Sequence, residues 1–123
     1  MRILAADDEA DVRLLLELAL GLQPGVVLTI VTSGRDAVDR AIAERFDLIV
    51  LDGLMPDLDG AATCRLLKSD PRTADVPVVF LTALTSDAAR AELRDAGAAG
   101  FVSKPFDPFS LAAELTAFAR RDP

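Results

Sequence analysis

Short apolar runs alternate along the chain with longer stretches in which apolar residues recur at helical spacing. There are five such runs, over residues 2–6, 26–31, 47–52, 77–82 and 99–103. Each run is apolar almost throughout, which is typical of strands that are buried on both faces of a parallel sheet. The helical stretches must then cover both faces. The chain is therefore predicted to be an α/β protein with a five-stranded, doubly wound parallel sheet.

The intervening stretches carry the sequence signals with which helices begin. The first helix has a broad apolar face formed by Val12, Leu15, Leu16, Ala19 and Leu20. The next three are predicted over residues 33–45, 59–69 and 86–96, with Ser33, Asp59 and Ser86 as N-caps. For the last helix, which has Leu111, Leu115 and Phe118 on one stripe, we expect Asp107 as the N-cap and Pro108 at the first helical position.

Length and charge exclude several classes of protein. A chain of 123 residues is long enough for one hydrophobic core and too short for two, so we expect a single domain over residues 1–123. The net charge of −7 argues against a nucleic-acid partner, because such surfaces need clustered Lys and Arg. We see no signal peptide and no long apolar span, so we expect a soluble, cytoplasmic protein with no membrane partner.

The usual catalytic nucleophile–base pairs are missing from the sequence. The chain has no histidine, which excludes Ser-His and Cys-His catalysis and the common zinc ligand sets. The single cysteine, Cys64, lies on the same helical face as Leu67, and we interpret it as a core residue and not as a reactive thiol. Any chemistry must therefore use carboxylates, hydroxyls, lysine and the backbone.

Polar residues stand at the carboxyl ends of four of the predicted strands, where open parallel sheets bind their ligands. These residues are Asp7 and Asp8 after the first strand, Asp52 in the third, Thr82 in the fourth and Lys104 after the fifth. Carboxylates that lie close together need a positive partner, and a hard divalent cation with oxygen ligands supplies one. The pattern therefore predicts a Mg²⁺ (or Mn²⁺) site suited to phosphate, in which a carboxylate can attack phosphorus.

Each of these residues also has an ordinary structural interpretation. Asp7 and Asp8 could simply cap the next helix, Thr82 could be a plain strand residue, and Lys104 could be solvated surface. Phe101, an aromatic residue in a strand, by itself favours a core position. We interpret Asp57 and Asp59 as parts of a turn and a helix cap, outside the chemistry.

Four segments together carry a resemblance to the receiver domains of two-component response regulators, over essentially the whole chain. They are "ADDE" at 6–9, "LDGLMPDLDG" at 51–60, "FLTA" at 80–83 and "GAAGFVSKPF" at 97–106. The resemblance implies a flavodoxin-like sheet with strand order 2-1-3-4-5. It also implies that the domain accepts a phosphoryl group and is not an enzyme acting on a separate substrate.

The resemblance assigns roles residue by residue. It makes Asp52 the phosphoacceptor, with Asp7, Asp8, Asp52 and the backbone carbonyl of Leu54 holding the metal ion. It makes Thr82 the switch hydroxyl, Lys104 the lysine that reaches the phosphoryl group, and Phe101 a switch aromatic at a sheet edge. It also implies a cis peptide bond before Pro105.

Three positions bear on how closely the chain follows the family pattern. Gly53 stands where the family usually has a larger apolar residue, and we expect it to loosen the loop that presents Leu54. Leu54 and Leu84, two residues beyond Asp52 and Thr82, are both apolar. The resemblance implies that these two positions flank the route of the water that removes the phosphoryl group.

Other functions fit the residues less well. A haloacid dehalogenase-like phosphohydrolase would need a proton donor at Leu54, and a flavin carrier would need a phosphate-binding loop in place of Asp7, Asp8 and Glu9. A receiver-like module that is never phosphorylated usually lacks one of the acidic or lysine residues, and none is missing here.

The expected partners follow from the resemblance. They are a sensor histidine kinase or histidine phosphotransfer protein and a downstream effector of unknown identity. We expect the effector to meet the fourth helix, fifth strand and fifth helix, with residues such as Ala88, Arg90, Ala91, Arg94, Phe101 and Glu114. The domain is then a monomer or a phosphorylation-dependent dimer.

Overall fold

The computed structural model describes residues 1–53, 55, 58–83 and 86–119. Within these residues, strands and helices alternate along the chain. The strands are β1 (Arg2–Ala6), β2 (Val27–Val31), β3 (Leu48–Asp52), β4 (Val78–Thr82) and β5 (Gly100–Ser103). The helices are α1 (Ala10–Leu20), α2 (Gly34–Ala43), α3 (Gly60–Ser69), α4 (Asp87–Asp95) and α5 (Leu111–Thr116).

The five strands form one parallel sheet in the order β2-β1-β3-β4-β5, which confirms the predicted fold class. The three inner strands, β1, β3 and β4, are buried almost throughout. Each run of apolar residues therefore faces helices on both sides, as the unbroken apolar pattern predicts. Because all strands are parallel, their carboxyl ends lie along one edge of the sheet.

Two hydrophobic cores lie on opposite faces of the sheet. On one face, Leu4, Ile49 and Phe80 pack with residues of α2, α3 and α4, and Cys64 belongs to this core. On the other face, Ile3 and Val50 pack with residues of α1 and α5. Burial raises the pKa of the Cys64 thiol, so the structure agrees with its interpretation as an unreactive core residue.

Three of the predicted helix caps are confirmed. The side chains of Ser33, Asp59 and Ser86 each accept a hydrogen bond from the backbone N–H three residues later, at the starts of α2, α3 and α4. These bonds satisfy donors that a helix leaves unpaired in its first turn. The sequence therefore specifies where these three helices begin.

The predicted start of the last helix is wrong. Asp107 Oδ1 accepts a hydrogen bond from the N–H of Phe109, two residues on, and Pro108 lies in the resulting turn. The helix proper begins at Leu111, with Ser110 as its N-cap. An aspartate can form this local turn as readily as a cap, and the turn places helix α5 later than the sequence signal suggests.

Several large apolar side chains remain exposed along the outer side of α1 and beside it. Leu18 is 55% exposed and Leu22 77%, and Phe109, before α5, is 95% exposed. Among the described residues, no helix combines the length and apolar character that crossing a membrane requires.

Candidate functional site

The carboxyl edge of the sheet gathers the polar residues singled out in the sequence. Asp52 is the last residue of β3, and Thr82 is the last residue of β4. Asp7 follows β1 and continues its ladder, because its N–H donates to the carbonyl of Val31 at 3.3 Å. Lys104 follows β5, and its N–H donates to the carbonyl of Thr82 at 3.0 Å. Four neighbouring strands thus deliver these groups to one place.

Acidic side chains converge at this edge, although two of them are buried. Carboxylate oxygens of Asp7, Asp8, Glu9 and Asp52 lie within 4.8 Å of one another. Asp7 is fully buried and Asp52 is 5% exposed, whereas Asp8 and Glu9 reach solvent. Burying like charges this close together is unfavourable unless positive groups compensate for them.

The Lys104 ammonium supplies part of that compensation. Its Nζ lies 3.0 Å from Asp7 Oδ2, 3.4 Å from Glu9 Oε1 and 3.5 Å from Asp52 Oδ2. Burial lowers the pKa of Lys104, but its hydrogen bond to Asp7 and the charges of Asp7, Asp52 and Glu9 raise the pKa above its ordinary value overall. Lys104 therefore stays protonated at neutral pH and links the two buried aspartates.

Backbone and side-chain contacts hold Asp7 in position. Its Oδ1 accepts a hydrogen bond of 2.9 Å from the Glu9 N–H, and its backbone carbonyl accepts one of 3.0 Å from the guanidinium of Arg13. With Lys104 on Oδ2, both carboxylate oxygens of Asp7 are engaged. The peptide bond between Lys104 and Pro105 is cis, as the resemblance implies.

The loop that follows Asp52 begins at Gly53 and ends at Gly60, and these two glycines lie close together. The Gly60 N–H donates to the Gly53 carbonyl at 3.4 Å. A Cβ at Gly60 would lie 2.5 Å from Phe80 Cε1 and 2.9 Å from Gly53 Cα, which is too close for any side chain. Position 60 therefore requires glycine if the loop is to return directly beneath Asp52. Leu54, Asp57 and Leu84 lie outside the described residues.

Phe101 lies apart from the carboxylates, on the edge strand β5. It is half-buried, and its ring stacks on that of Phe80 with centroids 6.5 Å apart and planes inclined by 27°. The guanidinium carbon of Arg94 lies 5.2 Å from the centroid of the same ring. Its position is intermediate between the core position that the residue type favours and the edge position that the resemblance implies.

Glu9 is a residue of the site that the sequence analysis did not single out. Its carboxylate belongs to the acidic cluster and contacts Lys104. The signal in the sequence was a third consecutive acid at a strand end, but a glutamate before a helix is ordinarily an N-terminal charge that favours the helix dipole. Only the fold shows that its side chain turns towards a lysine 95 residues away.

The donor set fits a hard divalent cation. Clustered carboxylate oxygens, two of them on buried residues, are ligands of the kind that Mg²⁺ and Mn²⁺ prefer. Asp7, Asp8, Glu9 and Asp52 are the acidic residues that could hold the ion.

Comparison with protein families and curated proteins agrees with these observations. The family model for the response regulator receiver domain matches residues 3–116. The chain is 38% identical over 120 residues to the probable transcriptional regulator ycf27 of Guillardia theta, covering 98% of this chain and 46% of that one. It is 41% identical over 120 residues to the response regulator PleD of Caulobacter vibrioides, covering 97% of this chain and 26% of that one. The chain thus spans about half the length, or less, of these relatives.

Solved structures share the fold over nearly the whole chain. The chemotaxis response regulator CheY4 of Vibrio cholerae superimposes with a TM-score of 0.88 at 29% identity, covering 95% of this chain and 97% of that one. The receiver domain of the sensor histidine kinase PA1611 from Pseudomonas aeruginosa, which has a magnesium ion coordinated in its active site cleft, gives a TM-score of 0.86 at 29% identity. That alignment covers 95% of each chain.

Proposed function

Because the chain belongs to the response regulator receiver domain family, we propose that it is a signalling switch that accepts a phosphoryl group on Asp52. The observation that carries this proposal is the position of Asp52, a nearly buried carboxylate at the end of a central strand, 3.5 Å from the Lys104 ammonium and within the acidic cluster. The chain has no histidine, so it cannot form a phosphohistidine itself, and we propose that its donor in the cell is a sensor histidine kinase or a histidine phosphotransfer protein.

The transfer is a nucleophilic substitution at phosphorus. An Asp52 carboxylate oxygen forms a bond to phosphorus while the phosphorus–nitrogen bond of the donor's phosphohistidine breaks, and the electron pair of that bond leaves with the imidazole nitrogen. The attack by the carboxylate form of Asp52 needs no base, because this form has no proton to lose. The product is an aspartyl phosphate, which carries one more negative charge than the carboxylate it replaces.

The remaining side chains of the site neutralise and orient that extra charge. Lys104, held protonated between Asp7, Glu9 and Asp52, is placed to donate to a phosphoryl oxygen. Thr82 ends the strand next to Asp52, and its hydroxyl is a second donor at this edge. A Mg²⁺ ion, or Mn²⁺, held by Asp7, Asp8 and Asp52 would neutralise charge on the transferring oxygens.

We further propose that the signal leaves through the surface of α4, β5 and α5. Phe101 is exposed in part on this surface and packs inward on Phe80, so it lies between the core and solvent. Beside it is a groove of about 420 Å³ lined by Phe101, Ser103, Phe106, Glu114 and Phe118, among others. Gly100 leaves room for the Phe118 ring, which occupies the space that a side chain at position 100 would need.

Acetyl phosphate provides a direct test of the proposed function. With Mg²⁺, the parent protein is expected to gain one phosphoryl group by intact mass, and Asp52→Asn is expected to abolish the gain. The exposed Asp39 on α2 provides the control, since Asp39→Asn should be phosphorylated like the parent. Phosphorylation of Asp52→Asn at another aspartate would show that the phosphoacceptor is assigned wrongly.

A further inference from the structure

The Glu9 side chain makes a contact that its position at the start of a helix does not require. Glu9 is the N-cap residue of α1, yet its side chain makes no capping hydrogen bond. Instead, its carboxylate Oε1 lies 3.4 Å from Lys104 Nζ. A negative charge near the helix N-terminus would favour the helix dipole without contacting a lysine, so the contact between Glu9 and Lys104 calls for a further explanation.

The Lys104 ammonium is shared among three carboxylates at unequal distances. Nζ lies 3.0 Å from Asp7, which follows β1, and at the longer distances of 3.4 Å from Glu9 and 3.5 Å from Asp52. An ammonium has three hydrogens to donate, and Lys104 Nζ donates to Asp7 Oδ2 and to Glu9 Oε1 while it lies 3.5 Å from Asp52 Oδ2. A phosphoryl group on Asp52 carries more negative charge than the carboxylate, so it draws the same ammonium towards its own oxygens and away from Asp7 or Glu9.

We propose that Glu9 is a positioning residue that competes with the phosphoryl group for Lys104 and thereby limits the rate at which Asp52 is phosphorylated. The inference rests on the proposed function. Asp7 is fully buried and holds its place through two other contacts, whereas the Glu9 side chain is 60% exposed and can turn to solvent. Glu9 is therefore the contact that yields when Lys104 turns to phosphate.

The same carboxylate has the opposite effect on the metal ion. Glu9 contributes a negative charge to the cluster of Asp7, Asp8 and Asp52, and that charge attracts a divalent cation while it repels an incoming phosphoryl group. Neutralising Glu9 should therefore weaken cation binding and accelerate phosphorylation once the cation is saturating. If Glu9 contributed only to folding, neutralising it would weaken cation binding and also slow phosphorylation. Weaker cation binding together with faster phosphorylation therefore distinguishes the proposed role from a role in folding.

The first experiment compares Glu9→Gln with Glu17→Gln, which removes the same charge from an exposed position two turns further along α1. Mg²⁺ affinity is measured by calorimetry, and the phosphorylation rate by intact mass with acetyl phosphate at saturating Mg²⁺. For Glu9→Gln we expect about a two- to fivefold weaker Mg²⁺ affinity and about a two- to fivefold faster rate, the range for exposed ion pairs. Glu17→Gln should match the parent in both.

The second experiment needs neither metal nor phosphate. The chain has two lysines, Lys68 and Lys104, so partial acetylation followed by mass spectrometry reports each ammonium separately. Lys68 donates to the carbonyls of Ala74 and Val76, far from Glu9 in the sequence, and serves as the internal reference. In EDTA, Glu9→Gln should raise the acetylation of Lys104 relative to Lys68, and Glu17→Gln should not.

The outcomes separate this inference from the proposed function. An unchanged or slower phosphorylation rate in Glu9→Gln at saturating Mg²⁺, with the parent phosphorylated normally, would overturn the inference alone. Unchanged acetylation of Lys104 would also overturn it, whatever the phosphorylation result. If the parent is not phosphorylated on Asp52, the proposed function fails, and the competition that the inference describes fails with it.

Discussion

The guanidinium of Arg94 lies over the ring of Phe101, with its central carbon 5.2 Å from the ring centroid. A cation above an aromatic face is attracted to the ring's negative electrostatic potential. The same ring stacks with that of Phe80, which is fully buried, at a centroid distance of 6.5 Å. Arg94 therefore covers Phe101 from the side of α4, on the surface through which we propose that the signal leaves.

Removing this cover should destabilise the protein modestly. Arg94→Ala is expected to lower the free energy of unfolding by about 0.5–1 kcal/mol, or Tm by roughly 2–5 °C, measured by thermal unfolding. Arg65→Ala, which removes an exposed arginine from α3, is the control and should leave Tm within about 1 °C of the parent. Equal effects of the two substitutions would show that the contact with Phe101 contributes nothing.

Metal binding should appear as added stability that depends on Asp8. Asp8→Ala relieves repulsion in the acidic cluster and should raise Tm in EDTA. In the parent, Mg²⁺ at ten times its Kd should add about 1.4 kcal/mol to the free energy of unfolding, or roughly 4–6 °C to Tm. In Asp8→Ala the added stability should nearly vanish, and phosphorylation should be lost.

Asp39→Asn, which removes a charge from α2, serves as the control for Asp8→Ala and should respond to Mg²⁺ as the parent does. An Asp8→Ala protein that Mg²⁺ stabilises as much as the parent would contradict the assignment of Asp8 to the metal site.

The aspartyl phosphate is predicted to last from many minutes to hours at room temperature. Hydrolysis needs a water that is oriented opposite the Asp52 oxygen. The family resemblance assigns Leu54 and Leu84 to the route of this water, and neither side chain can form a hydrogen bond with it. One orienting hydrogen bond to a charged transition state contributes about 1.5–3 kcal/mol, or roughly 10- to 100-fold in rate. Leu54→Asn with Leu84→Glu should therefore shorten the lifetime, followed by intact mass after the donor is removed. A parent half-life of seconds, or an unaltered double variant, would show that these leucines do not set the lifetime.

Acid should remove the contribution of Asp70 to stability. The guanidinium and N–H of Arg72 donate to its carboxylate and lower the pKa of Asp70 from 3.8 to about 2. Because the folded pKa is depressed, the stabilisation is complete above the unfolded value and is lost as the pH falls from about 4 to about 2. The Tm difference between the parent and Asp70→Asn should be constant near neutral pH and shrink over that window. A difference that is independent of pH would contradict the ion pair.

Local sequence signals were sufficient where a contact is made within a few residues. Ser33, Asp59 and Ser86 bond to donors three residues away, so their capping follows from the sequence. The prediction that Asp107 is the N-cap of the last helix failed because two local hydrogen-bonding patterns compete at an aspartate. Here the Asp107 side chain accepts a hydrogen bond from the Phe109 N–H in a turn. The strands were predicted because burial on both faces leaves an unbroken apolar run.

Contacts between distant parts of the chain could be predicted only in outline. That Asp7, Asp52 and Lys104 meet follows from the rule that parallel strands end at one edge. The contact between Glu9 and the Lys104 ammonium does not follow from this rule, because it depends on the side-chain directions in two loops. The intermediate burial of Phe101 also depends on tertiary structure, since Arg94 and Phe80 approach it from different elements.

The ion pair between Asp7 and Lys104 joins residues 97 positions apart, and Lys104 belongs to the last loop before α5. A nascent chain therefore carries Asp52 for the translation of more than 50 further residues before its lysine exists. Until β5 has left the ribosome and paired with β4, the buried aspartates have no ammonium beside them. An incomplete product of synthesis that stops before β5 thus has Asp7 and Asp52 without the lysine that neutralises their charge.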